Sequence, residues 1–129
     1  MSGSSIYVRR ADCRRRNTPI ALVVIEADQL TPDERTAFTL LLSRVHAALL
    51  PNPKQGELAA LCQQHGCAFD QTAVIATTQR GLPLLLEAAV ALTLRDAGYE
   101  NEAAADVVFQ PRSSGGLAAA IEYACRLVA

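Results

Sequence analysis

Glu26 and Asp28 stand two residues apart at the carboxyl end of the apolar run Ile20 to Ile25. On an extended chain that spacing puts both carboxylates on one side, where they could serve as an acid and base pair or as half of a metal site. The plain alternative is a polar, solvated strand end. A second group, Thr77, Thr78 and Arg80, closes the apolar stretch Ala73 to Ala76. Its hydroxyls can hydrogen-bond, and its guanidinium is a permanent cation able to pair with Glu26 or Asp28 if the two strand ends are neighbours. Lys54, the only lysine in the chain, follows Pro51, Asn52 and Pro53.

Three further clusters read more simply as structure. Cys62, His65 and Cys67 lack zinc-site separations and a fourth ligand, so they read as a helix end followed by a capped turn at Gly66. Ser113, Ser114, Gly115 and Gly116 precede a helix and could present backbone amides to phosphate, but without a phosphate-loop pattern they read as a cap. His46, placed on a helix by the apolar spacing around it, has no serine or cysteine partner for nucleophilic catalysis.

Positioning these residues requires buried strands with helices between them. The run Ile20-Ala-Leu-Val-Val-Ile25 is rich in β-branched residues, as a central parallel strand covered on both faces should be. Thr31, Pro32, Asp33 and Glu34 form a helix start: a capping hydroxyl, a proline at the first helical position and two acids at the positive end of the dipole. Leu40, Leu41, Val45 and Leu49 then predict a helix to about Leu50, where the prolines break it. A helix from Lys54 to Gln64 follows. Beyond it the spacing predicts a strand at Ala73 to Ala76, a helix at Leu82 to Ala88 and a strand at Ala89 to Leu94. A helical turn at Glu100 to Ala105, a strand at Val107 to Phe109 and a helix at Leu117 to Val128 complete the chain. Such alternation implies a three-layer α/β/α, Rossmann-like parallel sheet with any ligand at the carboxyl ends of its strands.

Composition agrees. A chain of 129 residues, half of them hydrophobic, suits one domain with a real core, and the absence of Trp leaves that core to Ala, Leu, Val and Ile. A net charge of −1 gives no overall attraction to nucleic acid or an anionic membrane. Arg9, Arg10, Arg14, Arg15 and Arg16 crowd residues 1–19, which read as a flexible basic leader with a short strand or docking patch at Ile6, Tyr7 and Val8. Nucleic-acid binding through that leader is a minor expectation. Four cysteines without a signal-peptide core point to the cytoplasm, and the run at Ile20 is too short to span a bilayer.

From Ile20 onward the chain resembles the haloacid dehalogenase (HAD) superfamily, and within it the cap-less KDO 8-phosphate phosphatase-like proteins. Three stretches carry the resemblance: I-A-L-V-V-I-E-A-D-Q-L-T-P-D, N-P-K-Q-G-E-L-A-A-L, and the segment from A-V-I-A-T-T-Q-R-G-L-P through A-A-A-D-V-V-F-Q-P-R-S-S-G-G-L. The resemblance implies that Glu26 occupies the position of the phosphoryl-accepting, magnesium-binding aspartate. Asp28 matches the family's acid/base aspartate and Lys54 its phosphate-binding lysine, while Gln29 replaces the turn glycine. Thr77, Thr78 and Gly81 take the positions of the acids that hold magnesium, although that ion prefers hard, anionic oxygens. Between Thr31 and Pro51 the chain is shorter than the family pattern by a projecting hairpin, a strand and the phosphate-holding Thr or Ser.

These features predict a degenerate HAD-like domain over residues 20–129 that serves binding or assembly, with no cofactor and with self-association into a homo-oligomer. A small phosphorylated ligand near Glu26, Asp28, Lys54, Thr77, Thr78 and Arg80 is compatible with it. The rival expectation is a magnesium-dependent phosphomonoesterase acting on a small phosphorylated sugar acid through Glu26, Asp28 and Lys54.

Overall fold

Successive side chains of a strand leave on opposite faces, so a strand that is apolar at every position must be covered twice. The computed structural model, which describes residues 7–8 and 19–128, meets that demand with one six-stranded sheet. Its strands are β1 (Tyr7–Val8), β2 (Leu22–Glu26), β3 (His46–Leu50), β4 (Thr72–Ala76), β5 (Val90–Leu94) and β6 (Val107–Phe109). They lie in the order β1-β6-β5-β4-β2-β3; all neighbours run parallel except β1, which is antiparallel to β6.

Helices α1 (Pro32–Leu42) and α5 (Gly116–Leu127) cover one face, and α2 (Glu57–His65), α3 (Leu82–Glu87) and α4 (Tyr99–Ala104) belong to the other side of the sheet. Alternation along β2 shows the division directly. Val23 and Ile25 join Leu41, Leu117 and Ile121 in one core, whereas Leu22 and Val24 join Leu58, Cys62, Leu84 and Leu85 in the other. The fold is therefore the three-layer α/β/α sandwich that the sequence predicts.

Two boundaries differ from expectation: α2 starts at Glu57, which leaves Lys54 in the preceding loop, and α1 is shorter. The helix that begins at Thr31 ends at Leu42 rather than near Leu50, and His46, with the four residues after it, forms β3 beside β2. Ala and Leu favour helix, and Leu41, Val45 and Leu49 keep helical spacing, so local preference points the wrong way. What decides is the open edge of β2: Leu22 through Glu26 pair in register with His46 through Leu50. The gain of a complete parallel ladder outweighs a propensity difference of a few tenths of a kcal/mol per residue. Ser43 closes α1, its N–H and hydroxyl both donating to the Leu40 carbonyl. The short middle of the chain thus contains a strand, and His46 is an exposed strand residue rather than a helical one.

The chain passes from β2 to β3 on one side and then returns to place β4 on the other. Strand order reverses between β2 and β4, and it is outside the carboxyl ends of such a pair that an open α/β sheet forms its ligand crevice. Glu26 ends β2 and Ala76 ends β4, level with each other. Of the predicted leader, Tyr7–Val8 makes the short edge strand, and the five arginines lie outside the described residues. Among the described residues no helix is long and apolar enough to cross a membrane.

Candidate functional site

The crevice position between β2 and β4 is held shut by one side chain. Glu26 is 1% exposed. Its Oε1 accepts from the backbone N–H of Thr77 at 2.9 Å and of Thr78 at 2.8 Å, and its Oε2 accepts from the Thr78 hydroxyl at 2.8 Å. The Thr77 hydroxyl donates to the Glu26 backbone carbonyl at 2.8 Å. Both carboxylate oxygens are thus occupied by the loop after β4. Burial raises the pKa of Glu26 above the ordinary carboxylate value, opposed in part by hydrogen bonds from Thr78 and Thr77 and by the charge of Arg80.

The surrounding groups do not suit magnesium. An ion there would need several hard oxygen ligands, but Thr77 and Thr78 are already committed to Glu26 and the third position is Gly81. A Cβ on Gly81 would fall 2.5 Å from the Ala76 Cβ and 3.0 Å from Glu26 Oε1, so no acidic side chain fits without moving the backbone. Among the described residues no group of three or more His, Cys, Asp or Glu could hold a metal ion.

Glu26 and Asp28 lie in opposite surroundings, one buried and one exposed. The strand ends at Glu26, and the chain beyond it turns Asp28 outward to 70% side-chain exposure. Arg80 NH1 lies 3.9 Å from Asp28 Oδ1, with its own side chain 58% exposed. The guanidinium therefore does reach across the switch point. An ion pair so open and so long contributes little to stability, within about 1 kcal/mol.

The loop carrying Asp28 is fixed instead by Arg112, a residue that sequence reasoning did not single out. Arg112 Nε donates to Glu34 Oε2 at 3.0 Å and NH2 donates to Oε1 at 2.8 Å, a two-pronged carboxylate contact. NH2 also donates to the Gln29 carbonyl. Glu34 simultaneously completes a capping box, accepting from the Thr31 N–H at 2.9 Å while its own N–H donates to the Thr31 hydroxyl. The Arg112 guanidinium holds the Glu34 carboxyl below its ordinary value. Asp28, Gln29, Leu30, Thr31 and Arg112 line an open cleft of about 600 Å³. The capping box is legible in the sequence; the arginine's partner, 78 residues away, is not.

Lys54 lies elsewhere. It lines a groove of about 370 Å³ with Gly56, Leu82, Pro83 and Leu86, which shares no residue with the Asp28 cleft. Asn101, fully buried on α4, supports the Thr78 carbonyl through its Nδ2 at 2.8 Å. The Ser113 to Gly116 segment is a cap: the amides of Ser114 and Gly116 both donate to the Pro111 carbonyl and that of Gly115 donates to Arg112. Those amides are unavailable to phosphate.

Comparison with solved structures places this architecture. At 14% sequence identity the chain is similar to the cobalt-bound deoxy-D-mannose-octulosonate 8-phosphate phosphatase of Haemophilus influenzae, over 81% of this chain and 90% of that one, with a TM-score of 0.60. The fold is HAD-like. A putative HAD superfamily (subfamily III A) hydrolase from Legionella pneumophila gives a TM-score of 0.53 at 12% identity, covering 84% of this chain and 87% of that one. No family model and no curated protein sequence matches the chain. On this HAD-like scaffold the ends of the two central strands, Glu26 and Thr77 with Thr78, are joined to each other.

Proposed function

We propose that this HAD-like domain is non-catalytic and acts as a binding or assembly module. The observation that carries the reading is the engagement of Glu26: the carboxylate at the nucleophile position has both oxygens hydrogen-bonded within the protein and almost no exposed surface. In-line attack on phosphorus needs a free oxygen within about 3.5 Å of the reacting atom. Self-association fits the sheet edge. β3 ends the sheet, its residues Ala47, Ala48, Leu49 and Leu50 are only half-buried, and no charge or proline within the strand protects its open side. A second copy is the partner proposed for that edge, by strand addition.

A second reading rests on Asp28 and the phosphatase neighbour. An exposed carboxylate lines an open cleft with Arg112, Arg80 lies 3.9 Å from it, and a small phosphorylated sugar acid is the substrate class the neighbour's name suggests. A phosphatase screen with magnesium, run on the wild type and on Asp28→Asn, separates the two. The module predicts no metal-dependent release of phosphate from any substrate. Hydrolysis that disappears in Asp28→Asn establishes the enzyme instead. Light scattering at micromolar concentration tests assembly, and a monomer at every concentration rules out the edge pairing.

A further inference from the structure

Helix α2 ends in a Schellman motif whose two contact positions are both cysteines. Gly66 adopts the left-handed conformation, φ 68° and ψ 36°, and its N–H donates to the Gln63 carbonyl at 3.4 Å. The Cys67 N–H donates back to the Cys62 carbonyl at 2.9 Å. These are the paired hydrogen bonds of the motif, and their geometry folds the residue after the glycine onto the side chain three positions before the helix cap. That contact is ordinarily apolar. Here Cys62 and Cys67 take the two positions, with Cys67 packed against the core cluster that contains Cys62.

We propose that Cys62 and Cys67 form a redox site, a dithiol that low-molecular-weight disulfides convert to an intrachain disulfide across the end of α2. The two positions are not equivalent. Cys62 is 5% exposed and packs in the core with Leu22, Val24, Leu58 and Leu84, whereas Cys67 is half-buried on the turn leading to β4. Cys67 is therefore the thiol that an external reagent meets. Its thiolate attacks one sulfur of the disulfide RSSR, forming a Cys67–SR mixed disulfide and expelling RS⁻. The Cys62 sulfur, after losing its proton, then attacks the Cys67 sulfur and expels the second RS⁻. Both thiolates take up protons, so one dithiol and one RSSR give one protein disulfide and two RSH, a two-electron oxidation of the protein. Burial, followed by the neighbouring Cys67, pushes the Cys62 thiol up to about 11, which suits a resolving thiol that stays inert until the mixed disulfide forms beside it.

The 2.9 Å bond from the Cys67 N–H to the Cys62 carbonyl holds the two main chains side by side, the proximity that an intrachain disulfide needs. The product ties the last turn of α2 to the turn that starts β4, the strand whose far end carries Thr77 and Thr78.

The test equilibrates the full chain, folded, with mixtures of reduced and oxidised glutathione, followed by acid quenching, alkylation and peptide mapping. The expected species is a single peptide containing both cysteines, two hydrogens lighter, with no alkyl group and no retained glutathione. In Cys62→Ala, Cys67 should accumulate as the glutathione adduct. In Cys67→Ser, Cys62 should stay free and unmodified while the protein is folded. The site is refuted if, in the wild type at the most oxidising ratio, both thiols remain alkylatable, if Cys67 keeps its glutathione, or if either residue is found linked to Cys13 or Cys125. Because the wild-type map alone decides, a variant that folds poorly does not leave the question open.

Discussion

Glu26 and Thr78 are joined twice: the Thr78 amide donates to Oε1 and its hydroxyl to Oε2, each at 2.8 Å, across the strands where the sheet order reverses. The contact turns a position suited to chemistry into a fastener between β2 and β4. Thr77 adds a third donor and Asn101 supports the loop from behind.

Removal of that fastener should be costly. Glu26→Ala takes the acceptor from the N–H and hydroxyl of Thr78, an exposed residue that water can reach, and leaves the Thr77 N–H only its longer 3.3 Å bond to the residue-26 carbonyl, so a net loss of about 2 kcal/mol is expected. Glu26→Gln keeps an oxygen for both amides and should lose about 1 kcal/mol. The pH dependence follows from burial. Because folding raises the pKa of Glu26 above 4.5, its protonated form is favoured in the folded state. That contribution is complete below the unfolded value and is lost as pH rises through the folded one, so the wild type should weaken relative to Glu26→Gln over that window. Urea denaturation at several pH values reads both effects, and a Glu26→Ala protein as stable as wild type contradicts the fastener.

Arg112 and Glu34 should titrate in the opposite sense. The guanidinium depresses the Glu34 pKa, so the pair's contribution is present above the ordinary value of 4.5 and is lost as pH falls through the depressed one. Arg112→Ala strands a carboxylate that is 3% exposed and frees the Gln29 carbonyl, with an expected cost of about 2 kcal/mol. Arg112→Lys preserves charge but loses the fork and should recover less than half of it. If thermal melts of Arg112→Ala and wild type coincide at pH 7, the loop is not held by this residue.

Gly81→Asp restores an acid at the position where the HAD resemblance expects one. The added Cβ would meet Ala76 Cβ at 2.5 Å, and overpacking of this kind costs roughly 1–3 kcal/mol. The variant should melt lower than wild type and show no magnesium binding by calorimetry. Unchanged stability together with magnesium affinity would contradict both the packing limit at Gly81 and the poor fit of this site to the ion.

Much of this architecture was written locally. The β-branched run before Glu26, the Thr31-Pro32-Asp33-Glu34 start and the glycine after His65 each specify an element through short-range sterics and hydrogen bonding, and each appears where expected. The three-layer α/β/α build follows from the alternation of strands and helices. His46 to Leu50 was misread because Ala and Leu carry helical preference, and only the vacant edge of β2 made a strand of them.

The sequence by itself determined the layers, the caps and the presence of two carboxylates near one strand end. It could not determine what those carboxylates do. A two-residue spacing places Glu26 and Asp28 on one side only while the chain stays extended, and the chain stops being extended at Glu26. From there tertiary contacts decided: residues 51 and 52 positions away reached in to occupy Glu26, Arg80 met Asp28 at the surface, and Arg112 tied down the loop between them from 78 residues beyond Glu34. Pairings over such separations carry no local signature, because only the packed sheet brings their partners within hydrogen-bonding range.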